Sequence, residues 1–128
     1  MGHLMNDQVI LKLFDKPDEV KHFEKGKFEL VHMPNLTLGL GTYEPGWKWS
    51  THVGVGVRKF CMVEHLGTVI SGRATILMED GTTFVMSEGM VFYIPKVPHD
   101  GWVEGDEPYV SLHILGADEY NKAIFNTP

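Results

Sequence analysis

Residues 88–102 read E-G-M-V-F-Y-I-P-K-V-P-H-D-G-W, from Glu88 to Trp102. Gly89 opens an apolar run, Met90 to Ile94, and Pro95 closes it. A short apolar run bounded by glycine and proline is the signature of a buried strand. Pro95 and Pro98 each fix φ and push the residue before them toward extended backbone. His99 is therefore carried on a stiff segment at the end of that strand, where an imidazole is well placed to act as a ligand.

Working outward, the rest of the chain follows the same short rhythm. Strands are expected at Val9–Phe14, Phe28–Met33, Leu36–Tyr43, Trp47–Val53, Lys59–Ser71, Ala74–Met78, Thr82–Met86 and Tyr109–Leu115. Leu36, Leu38 and Leu40 alternate with Thr37 and Gly39, as one buried face requires. Cys61, Val63, His65 and Val69 share a parity, and Asp80-Gly81 is a hairpin signal. Val20–Lys25 reads as a helical turn or loop, Gly54-Val55-Gly56 as a loop, and Asp118–Phe125 as a short helix with Asp118 as N-cap. About eight to ten short strands at nearly regular spacing imply an all-β sandwich or barrel. No repeat or linker divides residues 1–128, so a single domain is expected.

Composition removes several classes of partner. The net charge is −6 and the 11 Lys and Arg residues form no cluster, which argues against nucleic acid. Cys61 is the one cysteine, so no internal disulfide exists. No apolar run approaches the roughly 20 residues of a spanning helix, and no signal peptide is read. A cytoplasmic protein without a membrane partner is the expectation. A Gly-x-Ser-x-Gly elbow, a phosphate-cradling loop and a dinucleotide fingerprint are all missing from the sequence.

Two spacings carry a family resemblance: His65-x6-Gly72, spelled H-L-G-T-V-I-S-G, and Gly89-x5-Pro95 with His99 close behind. Together they resemble the motifs of the cupin superfamily, within a small single-domain subgroup whose barrel core would span about residues 36–115. The resemblance implies a double-stranded β-helix, a jelly-roll barrel. His65 stands where the family usually has a glutamate, Cys61 where it has the second histidine of its first motif, and Lys59 where it has the first. In the second motif Val97 replaces a glycine, His99 comes one residue early, and Val103 replaces an asparagine.

From the resemblance and the spacings, His52, His65 and His99 are the expected metal ligands. Cys61 reads first as a small core residue and second as a thiolate ligand. Imidazoles suit Zn, Fe, Ni or Cu, and a thiolate would favour zinc. Asp100 or Glu64 is a candidate to orient a histidine from behind. Trp102 and His113 are candidate pocket residues, whereas His22 and His32 read as ordinary surface or strand positions. The expected function is a divalent-metal-binding cupin with a small-molecule pocket inside the barrel. If it is an enzyme, oxygenation, isomerisation or hydrolysis would suit it, and the alternative is a non-catalytic binding or sensing module. No catalytic residue is assigned. The resemblance also implies a homodimer, in which Val9–Phe14 could pair with a partner's sheet edge.

Overall fold

In a computed structural model, residues 8–53, 61 and 63–120 are described. The strands are β1 (Glu19–Phe23), β2 (Gly26–Met33), β3 (Leu36–Tyr43), β4 (His65–Ser71), β5 (Arg73–Met78), β6 (Thr83–Ser87), β7 (Val91–Ile94), β8 (His99–Glu104) and β9 (Tyr109–Leu115). One short helix, α1 (Trp49–His52), lies between β3 and β4. Residues 117–120 form a further helical turn. The strands make two antiparallel sheets, a large one in the order β1-β2-β3-β9-β4-β7 and a small one in the order β6-β5-β8. This is the all-β architecture that the strand rhythm predicts, in the jelly-roll form that the resemblance implies.

The large sheet is amphipathic. Along β4, His65, Gly67 and Val69 point inward, and along β9, Tyr109, Ser111 and His113 do the same. Phe92 and Ile94 of β7 and Phe28 and Leu30 of β2 complete that face. Cys61, Val63, His65 and Val69 are all buried, as their common parity requires.

Glycines decide two details. Gly72 joins β4 to β5 at φ +80°, and a Cβ there would stand 2.3 Å from the Pro108 carbonyl oxygen. The glycine ending the H-x6-G spacing is thus required both by its backbone conformation and by its neighbour. Around His113 the reason is different. It is paired with Gly39 on β3 and Gly67 on β4. The Phe28 ring occupies the space over Gly39, and the Phe92 ring closes over Gly67. Both rings meet His113 edge-on, at 5.4 and 5.7 Å between centroids.

Three local expectations are corrected. Val9–Phe14 is not a strand; Val9, Leu11 and Leu13 alternate but face solvent. Glu19–Phe23 forms a β-hairpin with β2 instead of a helical turn, and Lys25 makes the tight connection at φ 64°. Trp47–Val53 does not continue as a strand: Lys48 bridges to Trp102, and then the chain winds into α1. The physical reason lies on β8. The N-cap residue Lys48 makes no side-chain cap, but the Ser50 amide and hydroxyl both donate to the Asp100 carboxylate, at 3.0 and 2.7 Å. A buried carboxylate from another element satisfies a helix-end donor that the local sequence leaves bare. The expected terminal helix is present over 117–120, so Asp118 lies inside the first turn rather than at the cap. Its remainder, with Gly54-Val55-Gly56 and Lys59, lies outside the described residues. Among the described residues, no helix is long and apolar enough to cross a membrane.

Candidate metal centre

The inward faces of β4, β9 and β8 bring histidines together around an internal cavity of about 70 Å3. His65 opens β4, and its ring lies 5.5 Å from that of His99 and 5.3 Å from that of His113. Cys61 reaches the same place through the backbone. Its amide donates to the His99 carbonyl at 2.6 Å, and the His99 amide donates to the Cys61 carbonyl at 2.9 Å. Directly opposed residues in an antiparallel bridge project to the same side, so the thiol and the imidazole face one cavity.

Cys61, His65 and His99 each offer a ligand atom, and these atoms all lie within 4.8 Å of one another. The Cys61 Sγ and His65 Nε2 are 3.8 Å apart. Two donors on one tetrahedral zinc, with bonds of about 2.3 Å to sulfur and about 2.0 Å to nitrogen, are separated by about 3.6 Å. The three side chains therefore fit a divalent ion with small adjustments.

The protonation states fit as well. His99 Nδ1 lies 2.9 Å from the Val97 carbonyl, which can only accept, so Nδ1 carries the proton and Nε2 keeps its lone pair. Burial pushes His99 below the usual histidine range, although the Val97 carbonyl and Asp100 oppose it. Burial also drives His65 well below that range, helped by the nearby His113 and His99. His113 is lowered to about 4 by burial. These imidazoles are neutral at pH 7, the form in which they bind metals.

His52 stands apart from this group. It ends α1, where its Nδ1 accepts from the Lys48 amide at 2.9 Å and its Nε2 faces Glu24 at 3.9 Å. It does not line the cavity. Trp102 and His113 do line it. Trp102 is turned by its indole N–H, which donates to Glu104 at 2.8 Å. His113 Nε2 is 3.0 Å from the Ser111 hydroxyl. Asp100, besides holding Ser50, accepts from the Gly101 amide at 2.8 Å, and Glu64 accepts from the Tyr93 hydroxyl. The group that orients His99 is thus the Val97 carbonyl, two residues away, and neither of those carboxylates.

The sequence reading missed Tyr43 and Tyr120. Tyr120 stacks on His113 at 5.7 Å and 10°, and its ring lies 5.2 Å from that of His65. Tyr43 donates to the Tyr120 hydroxyl at 3.1 Å, and burial raises both phenols. No motif marks either tyrosine; an inward-facing position on β3 was the only available signal for Tyr43.

Residues 62–115 match the family model of the cupin domain. Over these residues the chain is similar to the cupin domain. Its jelly roll is similar to that of solved cupin-fold structures. One is a Rhizobium leguminosarum bv. viciae 3841 protein of unknown function, at 21% identity, 70% of this chain, 79% of that chain and a TM-score of 0.53. A second is the oxalate decarboxylase of Bacillus subtilis, at 27% identity, 77% of this chain, 27% of that chain and a TM-score of 0.56. The third is the 11S allergen of Cocos nucifera, at 15% identity, 79% of this chain, 32% of that chain and a TM-score of 0.60. Mn(II) centres are described for the Bacillus enzyme. The chain spans less than a third of the length of the decarboxylase and of the allergen. No curated protein sequence matches it.

Proposed function

We propose that this cupin binds a divalent transition metal through Cys61, His65 and His99 and presents it to a small molecule in the barrel. The observation that carries the proposal is the convergence of three buried donor atoms within 4.8 Å. In this reading Cys61 takes the place that the sequence reading gave to His52. The thiolate favours zinc over iron, nickel or copper. When bound, the ion supplies Lewis acidity toward a carbonyl, water or O₂ in the cavity. The chain's own residues hold and orient: the Val97 carbonyl fixes the His99 tautomer, and the aromatic walls exclude water. His113, neutral and hydrogen-bonded to Ser111, packs beside His65 and supports its ring.

A second reading, non-catalytic binding or sensing, is favoured by one observation. Among the described residues lining the cavity, Asp100 is the only carboxylate, and three hydrogen bonds from Ser50 and Gly101 engage it. No carboxylate is left to act as a general base at the metal. Metal analysis of tag-free protein tests the binding proposal, with Cys61→Ser, His65→Ala and His99→Ala as comparisons. Wild-type protein should take up one equivalent of zinc, and a failure to take up any added metal would reject the site. Oxygen consumption dependent on added Fe(II) would select the oxygenase form, and tight ligand binding without turnover would select the sensing form.

Homodimerisation is part of the proposal. Val9, Leu11 and Leu13, outside any strand, are 87, 89 and 62% exposed at alternate positions, an apolar face that pairing with a partner's sheet edge would cover. A dimer is expected in sizing with light scattering, and its loss in the Leu11→Asp variant would place the contact there.

A further inference from the structure

The central cavity is small, and it shares a wall with a larger space. A second hollow of about 440 Å3 lies on the surface, and Ile76, Met86, Phe92 and Ile94 line both spaces. The outer hollow runs between β6 and β7. Each of these strands is the outermost of its sheet, β6 pairing only with β5 and β7 only with β4. No backbone ladder therefore joins the two along the seam among the described residues, and widening it breaks no strand pairing. Met78 and Met86 contribute side chains that adapt to an irregular occupant.

The seam is also unusually apolar for a surface. Phe84 and Tyr93, which line the groove, are 55 and 56% exposed, and Val91 beside them is 76% exposed. Among the described residues no lysine or arginine lines the groove, and the one carboxylate among them, Asp80, sits in a hairpin turn and accepts the Thr82 amide. An anionic tail would find no partner there.

We infer that the β6–β7 groove is the outer half of one ligand site, whose occupant is an elongated small molecule with a metal-binding polar head and an uncharged apolar tail. The inference rests on the metal-site proposal for the head but not for the tail. The inner space of about 70 Å3 admits only a small polar head, whereas the outer hollow is several times larger and offers hydrocarbon contact. The shared wall of Ile76, Met86, Phe92 and Ile94 is where head and tail would join.

The test uses acetohydroxamate and octanohydroxamate, which share a metal-binding head and differ only in tail, titrated by calorimetry into zinc-loaded and metal-free full-length protein. In the zinc-loaded wild type the long probe should bind about 10-fold or more tighter than the short one, because several methylenes leave water. Phe84→Asp should reduce that ratio to about 2-fold, since a carboxylate would then face the tail. Val91→Asp, on the same seam but outside the groove lining, should keep the ratio. Equal affinities for the two probes in the wild type, or a ratio untouched by Phe84→Asp, would overturn the inference. So would a wild-type dimer that Phe84→Asp dissociates while the two probes bind alike, because a second copy would then cover the groove. If the short probe fails to bind zinc-loaded protein while the long one still binds and responds to Phe84→Asp, the metal proposal falls and the groove stands.

Discussion

The small sheet has two edges, and they are treated in opposite ways. At one edge, β8 is tied across to the rest of the barrel. Lys48 bridges to Trp102, Cys61 bridges to His99, and Asp100 holds Ser50 at the start of α1. At the other edge, β6 carries exposed Phe84 and Val85 and, among the described residues, pairs with no strand beyond β5. The tied edge carries His99 and, bridged to it, Cys61, opposite His65 of β4 in the large sheet, and the untied edge borders the groove. A ligand atom must be kept within a fraction of an ångström of its productive position, whereas an entry path needs freedom. One three-stranded sheet meets both needs by lacing one side only.

Four predictions can break or sharpen that contrast. The largest effect is on the ligands at and facing the tied edge: His99→Ala on β8, or His65→Ala opposite it on β4, should weaken zinc binding about 100-fold or more, as loss of a direct ligand exceeds the usual 10–100-fold effect of an outer partner. His52→Ala should leave it unchanged, and competition with a chelator reads both. A His52→Ala variant that loses metal would show that the laced edge does not define the site.

Acid comes next. The metal-free protein holds His113 at about 4 and lowers His65 and His99 by burial. The unfolded chain, with ordinary histidines near 6.5, binds more protons than the fold between these values, so stability is fully present above about pH 6.5 and is lost as pH falls toward about 4. His113 alone contributes about 3 kcal/mol to that loss, from the difference between about 6.5 and about 4. Denaturant titrations at stepped pH should show the loss, and a flat profile would mean that these imidazoles titrate freely.

Third, Asp100→Ala should cost about 1–2 kcal/mol, because it strands the partly buried Ser50 donors; thermal denaturation measures it. The smallest effect belongs to the untied edge. Val91→Thr should change stability by less than about 0.5 kcal/mol, as expected of an exposed side chain away from any packed feature.

Much of the fold was legible because strand signals are local. Alternation in Leu36–Tyr43, the Asp80-Gly81 turn and the Gly89–Pro95 run each specify a piece of the sheet without reference to the rest. The candidate site was legible where spacing and parity sufficed: His65 is set by its distance from Gly72, and His99 by the prolines. The failures came where a distant group decides. Trp47–Val53 alternates like a strand, but Asp100, far along the chain, supplies the acceptor that lets α1 begin, and His52 leaves the site with it. Cys61 rose in importance for a related reason: its opposition to His99 is a tertiary pairing that neither residue announces. Tyr120 caps the histidines from a terminal turn whose position no pattern fixes.

The reciprocal hydrogen bonds between Cys61 and His99 have a consequence for assembly of the barrel. They make ligand geometry a readout of strand register. A one-residue slip of β8 would exchange the inward and outward sides of the strand, separating the thiol from its imidazole while leaving each strand intact. Uptake of the proposed ion would then discriminate between correctly and incorrectly threaded barrels.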